Sequence, residues 1–202
     1  MKILFLAPFA RPTATYYAGI NLGLAQLAAV ASDAGAEAEV RNFWDAAQLD
    51  EFAGRRFDYV FIGTYTHQLK LVRQTVNIMN AMGLKVVLGG LHATFAPEDF
   101  ADSPYYLLVR GEGEVFTRQL ISDPSRAETM TGVWHPGVPG KGFAPMEQNL
   151  DVLPDPFRYL AVTDKVRNIM GFELLSSRGC FYKCAYCSAP ALSGIYPGYY
   201  RR

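Results

Sequence analysis

Three cysteines, Cys180, Cys184 and Cys187, fall in one short stretch, Ser-Arg-Gly-Cys-Phe-Tyr-Lys-Cys-Ala-Tyr-Cys-Ser-Ala-Pro from Ser177 to Pro190, and the 202-residue chain holds no others. Their spacing is Cys-x3-Cys-x2-Cys. Thiolates are soft ligands, and three in so short a loop can converge on one metal centre. A 4Fe–4S cluster usually takes one thiolate per iron, so a set of three leaves one iron open to a substrate or cofactor. Two plainer readings compete. Cys184-x2-Cys187 alone is the spacing of a redox pair, but that pair belongs at a strand–helix junction of a thioredoxin-like unit and would leave Cys180 spare. A structural zinc site closes four ligands, and no histidine lies near the triplet.

A second set of unusual residues lies in loops. Gly89-Gly90-Leu91-His92-Ala93-Thr94 puts two glycines where backbone must come close to something. Arg110-Gly111-Glu112-Gly113-Glu114 repeats the device, Thr64-Tyr65-Thr66-His67 is small and polar, and Pro8–Gly19 is the fourth loop. Together they suggest a large, flat, polar-rimmed ligand rather than a compact phosphate. No Gly-x-Gly-x-x-Gly and no P-loop Gly-Lys-Ser/Thr is present, which makes dinucleotides and nucleoside triphosphates poor candidates. Each residue also has a plain structural reading. Glu112 and Glu114 begin a helix, where carboxylates favour the dipole anyway. His67 can simply start a helix, His92 reads better as an orienting side chain than as a metal ligand, and the glycines can merely permit tight strand exits. Tyr16-Tyr17 are either packing or ligand-flanking residues.

The elements that must position these loops are legible as buried runs and helical periods. Lys2–Ala7, Ala36–Asn42, Tyr59–Gly63, Lys85–Leu88 and Tyr105–Val109 read as strands, most of them apolar enough to be covered on both faces. Between them, Ile20–Ala34 has Leu24, Leu27, Ala28 and Ala31 at helical spacing as a core stripe, with a stop at Gly35. Asp45 is placed to cap a short helix over Ala46–Ala53. Gln68–Met82 and Glu112–Ile121 are helices, and Pro97–Phe100 starts a short one. Such alternation predicts an α/β fold, a five-stranded parallel flavodoxin- or Rossmann-like sheet of order 2-1-3-4-5 with helices on both faces. Ligands then bind beyond the carboxyl ends of the strands, near the switch between the first and third, where the four loops lie.

Half the residues are apolar, enough for a real core, and 19 Lys+Arg balance 19 Asp+Glu. A net charge of zero gives no broad basic surface for nucleic acid. The run Met1–Pro8 is too short for a signal peptide or a membrane span. Cysteines confined to one motif argue for a reducing, cytosolic setting. Turn residues crowd Ser122–Gly142, where Thr131–His135 is placed to pair with a segment near Phe143 as a small hairpin. Asn149–Pro156 is a linker by its prolines, crossing from residues 1–148 toward residues 171–202, with 149–170 as the connection; Glu173–Ser176 reads as a short strand before the cysteine loop.

The cysteine triplet, with Tyr186 before the last cysteine and Arg178-Gly179 before the first, resembles the radical S-adenosylmethionine enzymes. Gly89-Gly90-x-His92-x-Thr94-x-x-Pro97-Glu98 and Gly111-Glu112-Gly113-Glu114 look like the cobalamin-binding domain that precedes the barrel in the cobalamin-dependent branch of that family. The resemblance implies three cofactors: cobalamin on Pro8, Gly19, Thr64, Tyr65, Thr66, His67, Gly89, Gly90, His92, Thr94, Gly111, Glu112, Gly113 and Glu114; a 4Fe–4S cluster on Cys180, Cys184 and Cys187; and S-adenosylmethionine at the open iron, with Tyr186 near the adenine. It implies cleavage to a 5′-deoxyadenosyl radical, a flavodoxin or ferredoxin as reductant, and a small-molecule substrate that is most often methylated, with oxidative cyclisation of a porphyrin-type ring as the main variant. No Asp-x-His-x-x-Gly is present, since Tyr65, Gly90 and Val133 stand two before His67, His92 and His135; no lower cobalt ligand is expected from that motif, which disfavours a corrinoid carrier. A barrel needs further strand–helix repeats, so this chain is expected to be the front portion of a larger enzyme and inactive alone. A non-catalytic cobalamin-binding or degenerate interaction module is the alternative.

Overall fold

Each strand carries two apolar stripes, because successive side chains point to opposite faces. In the computed structural model, which describes residues 1–9, 21–159 and 177–195, those stripes build two cores. On one face Ile3 and Phe5 of β1 (Lys2–Pro8), Phe61 of β3 (Tyr59–Gly63), Val87 of β4 (Val86–Gly89) and Leu107 of β5 (Leu107–Val109) pack with Leu24, Ala28, Ala31, Phe116 and Leu120. On the other, Leu4, Leu6, Val60, Ile62 and Leu88 pack with Phe52, Val72, Val76, Met79 and Phe100. Each fully buried Leu, Ile or Phe is worth roughly 1.5–3 kcal/mol against exposure.

The sheet order is β2-β1-β3-β4-β5-β6, with β2 (Glu37–Phe43) through β5 all parallel. The predicted 2-1-3-4-5 order is therefore present, with one strand more. β6 (Val133–Trp134) is antiparallel to β5, pairing Leu108 with Trp134 and Val109 with Val133. The expected partner near Phe143 also contributes: Gly132 N–H donates to Lys141 O at 2.8 Å, and Ala144 bridges Gly111.

Helices α1 (Leu22–Asp33) and α4 (Glu114–Ser122) cover one face, and α2 (Leu69–Ala81) covers the other. α3 (Leu91–Phe95), α5 (Pro124–Glu128) and α6 (Ala189–Ile195) are short. Asp45 caps the next turn as expected, in a capping box with Gln48, but Ala46–Phe52 winds as a 3-10 helix. The proline-rich segment after Asn149 does not leave the domain at once. Gln26 Nε2 donates to Pro154 O at 2.7 Å, Arg118 Nη2 donates to Val152 O at 3.3 Å, and Tyr159 packs on the core beneath α1. Gly19, Tyr16-Tyr17, most of the Pro8–Gly19 loop and the strand expected over Glu173–Ser176 lie outside the described residues.

Candidate functional site

The carboxyl ends of β3, β4 and β5 turn into three loops that bond to one another through their motif residues. Thr64 is buried; its Oγ1 donates to Gly89 O at 2.7 Å and accepts from Ala93 N–H at 2.9 Å. Its backbone N–H donates to Gly89 O at 2.8 Å and its carbonyl accepts from His92 N–H at 3.1 Å. Gly90, at φ 96°, is forced to be glycine, since a Cβ there would sit 2.8 Å from Thr64 N. Gly89 is under no such constraint: the nearest atom to an added Cβ is Val109 O at 3.8 Å. Thr94 Oγ1 donates to Gly90 O and accepts from Gly111 N–H at 3.0 Å, while Arg110 Nε donates to Thr94 O at 3.0 Å.

His92 is almost wholly buried, edge-on to Phe100. Its Nδ1 lies 3.0 Å from Thr66 Oγ1. Its Nε2 lies 3.0 Å from Asp99 Oδ2 but off the axis of a hydrogen bond, so that contact is electrostatic. Both ring nitrogens face protein. His67 is exposed and stacked on exposed Tyr65, with ring centroids 6.0 Å apart. Pro8 is buried at the end of β1, and its carbonyl accepts from Gln68 Nε2 at 2.6 Å. Gln68 Oε1 is buried without a hydrogen-bond partner. In the loops that follow β3 and β4, Tyr65, Leu91 and Phe95 are large apolar side chains left 37–39% exposed.

Glu112 and Glu114 meet a residue from far along the chain. Arg178 Nη1 lies 3.3 Å from Glu112 Oε2 and Nη2 lies 2.6 Å from Glu114 Oε1. Burial works against the guanidinium charge, but Glu114 and then Glu112 outweigh it, leaving the Arg178 pKa raised. At Arg110 burial prevails and lowers the pKa against the pull of Glu98.

Arg178 leads into the cysteine loop. Cys180 is half-buried, and Cys184 and Cys187 are exposed. Cys187 N–H donates to Cys184 O at 3.1 Å, closing a tight turn between them, and Ala189 N–H points at Cys187 Sγ at 3.4 Å. Phe181, Tyr182 and Tyr186 stand 63–93% exposed. The donor set, three thiols in one loop, suits a soft metal centre. The geometry does not gather them: among the described residues no three His, Cys, Asp or Glu side chains converge where a metal ion could be held.

Three participants escaped the sequence reading. Phe95 and Asp99 have nothing in the sequence to mark them, and Leu91 sits inside the Gly89–Thr94 motif overshadowed by its glycines and histidine; Asp99 acquires its role where it meets His92 Nε2. Arg178 was visible beside the first cysteine, but not its pairing with acids 64 and 66 residues away.

Comparison with known proteins agrees with this geometry. The family described as "B12 binding domain" matches residues 13–121. An uncharacterized methyltransferase of Pyrococcus horikoshii is 32% identical over 114 residues, 52% of this chain and 25% of that protein. A 2-(S-pantetheinyl)-carbapenam-3-carboxylate methyltransferase of Streptantibioticus cattleyicolor is 30% identical over 63% of this chain and 21% of its own length. A bacteriochlorophyllide d C-8(2)-methyltransferase of Chlorobaculum tepidum is 25% identical over 68% of this chain and 30% of its own length. The chain thus spans between a fifth and a third of the curated relatives it matches.

Proposed function

We propose, from the premise that this chain belongs to the B12-binding domain family, that the carboxyl edge of its sheet holds cobalamin for a cobalamin-dependent methyltransferase. The observation that carries this is the edge itself: Tyr65, Leu91 and Phe95 stand exposed in the loops beyond the carboxyl ends of β3 and β4, on the edge that holds the switch point between β1 and β3. Bound cobalamin supplies a carrier able to pass a methyl group to a carbon. The chain's own part is to bind and orient. Tyr65 and His67 wall the rim, and Gly90 lets the β4 loop lie flat against Thr64. His92, held by Thr66 and Asp99, fixes the loop rather than ligating metal.

Cys180, Cys184 and Cys187 are proposed as ligands of a 4Fe–4S cluster that binds S-adenosylmethionine, with Tyr186 beside the adenine. Support is the donor set and the resemblance of the loop to radical enzymes; such a cluster supplies one-electron cleavage of S-adenosylmethionine. Methylation fits the names of the relatives better than ring closure does, and the substrate is a small molecule.

Hydroxocobalamin mixed with the chain and passed through a desalting column tests the first statement. Retention of corrinoid absorbance near one equivalent is expected, and colourless protein sinks it. Anaerobic reconstitution with iron and sulfide tests the second: iron should bind and fall away in Cys184→Ser. Zinc in place of iron would reassign the thiols to a structural role.

A further inference from the structure

Two acids that the motif reading assigned to a cofactor are already engaged by protein. Glu114 is 4% exposed, and the side chains of Glu112 and Arg178 are 14% and 17% exposed. Charges so far from water persist only when paired. The guanidinium is a planar fork that can serve two carboxylates at once, which an ammonium point charge cannot. The backbone beneath is shaped for the contact. Gly111 takes φ 101°, and Gly113 lies so close over α1 that a Cβ would come within 3.0 Å of Leu27 Cδ1. Gly111 N–H is also tied to Thr94 Oγ1, so the acidic loop is anchored to the β4 loop on its other side.

We infer that the Gly111-Glu112-Gly113-Glu114 turn is the receptor for the cysteine loop, and that Arg178 is the positioning residue that docks this loop on the carboxyl edge of the sheet. The ion pairs hold the backbone two residues before Cys180 in register with the Thr64, Gly90 and Thr94 bonds that shape the cofactor rim. Cys180 is thereby half-covered, while Cys184 and Cys187, farther from the anchor, stay exposed. The inference rests on the ion pairs alone. It stands whether the thiols take iron, zinc or nothing, and whether or not the edge binds a corrinoid.

The test is alkylation of the metal-free 202-residue chain, with Cys180 labelling followed by mass spectrometry against Cys184 and Cys187 as internal controls. Glu114→Gln should speed labelling of Cys180 by about three- to tenfold, the change expected when a part-covered thiol becomes fully exposed, and leave the other two cysteines unchanged. Arg178→Ala takes the guanidinium from two buried carboxylates, so the triple variant R178A/E112Q/E114Q, which removes all three charges, should give the same rate with the sheet intact by circular dichroism. R178K, with charge but no fork, should fall between. Hydroxocobalamin retention is measured in parallel. Unchanged Cys180 labelling in E114Q and R178A/E112Q/E114Q overturns the inference. So does loss of corrinoid retention with Cys180 protection intact, which would return the glutamates to the cofactor.

Discussion

At the scale of single residues, the site is built from side chains that bond to the backbone of neighbouring loops. Thr64 and Thr94 spend their hydroxyls this way, and Gly90 supplies the close approach that makes both possible. Gly90→Ala is the sharpest local test. The added methyl meets Thr64 N at 2.8 Å in a left-handed conformation that L-residues avoid. Strain of this kind costs about 1–3 kcal/mol, and backbone atoms on both sides cannot step aside. A fall in the urea midpoint with unchanged slope is expected, together with weaker retention of hydroxocobalamin, because the β4 loop must lift from β3. Gly89→Ala, with only an ordinary contact at 3.8 Å to Val109 O, should be far milder. The glycine pair was legible in the sequence as a close approach. Which of the two needed the freedom was not, since a positive φ is set by where Thr64 lies.

At the scale of elements, the strands were the most readable part because parallel strands covered on both faces become unbroken apolar runs. β1, β3 and β4 appear as Ile3–Ala7, Tyr59–Ile62 and Val86–Leu88 for this reason. β6 was unreadable as a strand of the sheet: two residues, Val133–Trp134, cannot display a period, and only β5 gives them a partner. α3 was hidden in the same way by its length and by the glycine before it and the proline after it. Helix starts were signposted unevenly: Asp45 is readable as a cap, whereas the helical period of α1 runs back to Ile20 and hides its cap, Asn21. Asn21 Oδ1 accepts from Leu24 N–H at 3.0 Å and opens α1, whose Leu24, Ala25, Ala28 and Ala31 are buried against the sheet. No acidic residue in the first turn assists the dipole, so the cap stands alone there. Asn21→Ala should cost about 0.5–2 kcal/mol, read as a thermal midpoint lowered by roughly 2–8 °C. Because α1 also carries Gln26, bonded to Pro154, and Leu27, pressed by Gly113, its first-turn fraying should reach the cofactor edge before it reaches β2.

At the scale of the whole molecule, the sheet has a chemical end and a structural end. The carboxyl ends of the strands carry the loops, the apolar rim and the docked cysteine loop. The amino ends carry a cluster of tyrosines: Tyr59 opens β3, Tyr105 and Tyr106 precede β5, and Lys85 Nζ lies 4.5 Å from the centre of the Tyr106 ring. Tyr106 donates a short hydrogen bond to Glu128. Burial raises the pKa of all three phenols above the ordinary 10.0, and Glu128 raises those of Tyr59 and Tyr106 further. Below that value both folded and unfolded chains keep these protons, and their contribution to stability is fully present. Above it the unfolded chain releases protons first and binds fewer than the folded chain, so stability falls as pH rises through the folded values. Urea midpoints should therefore stay level up to about pH 10 and decline beyond it. Tyr106→Phe should flatten that decline by deleting the phenol with the largest shift, while corrinoid retained at neutral pH stays unchanged because the substitution lies at the far end of the strands. An alkaline decline as steep in Tyr106→Phe as in the parent chain would place the sensitive groups elsewhere. A loss of corrinoid in that variant would mean that the two ends of the sheet are coupled rather than separate.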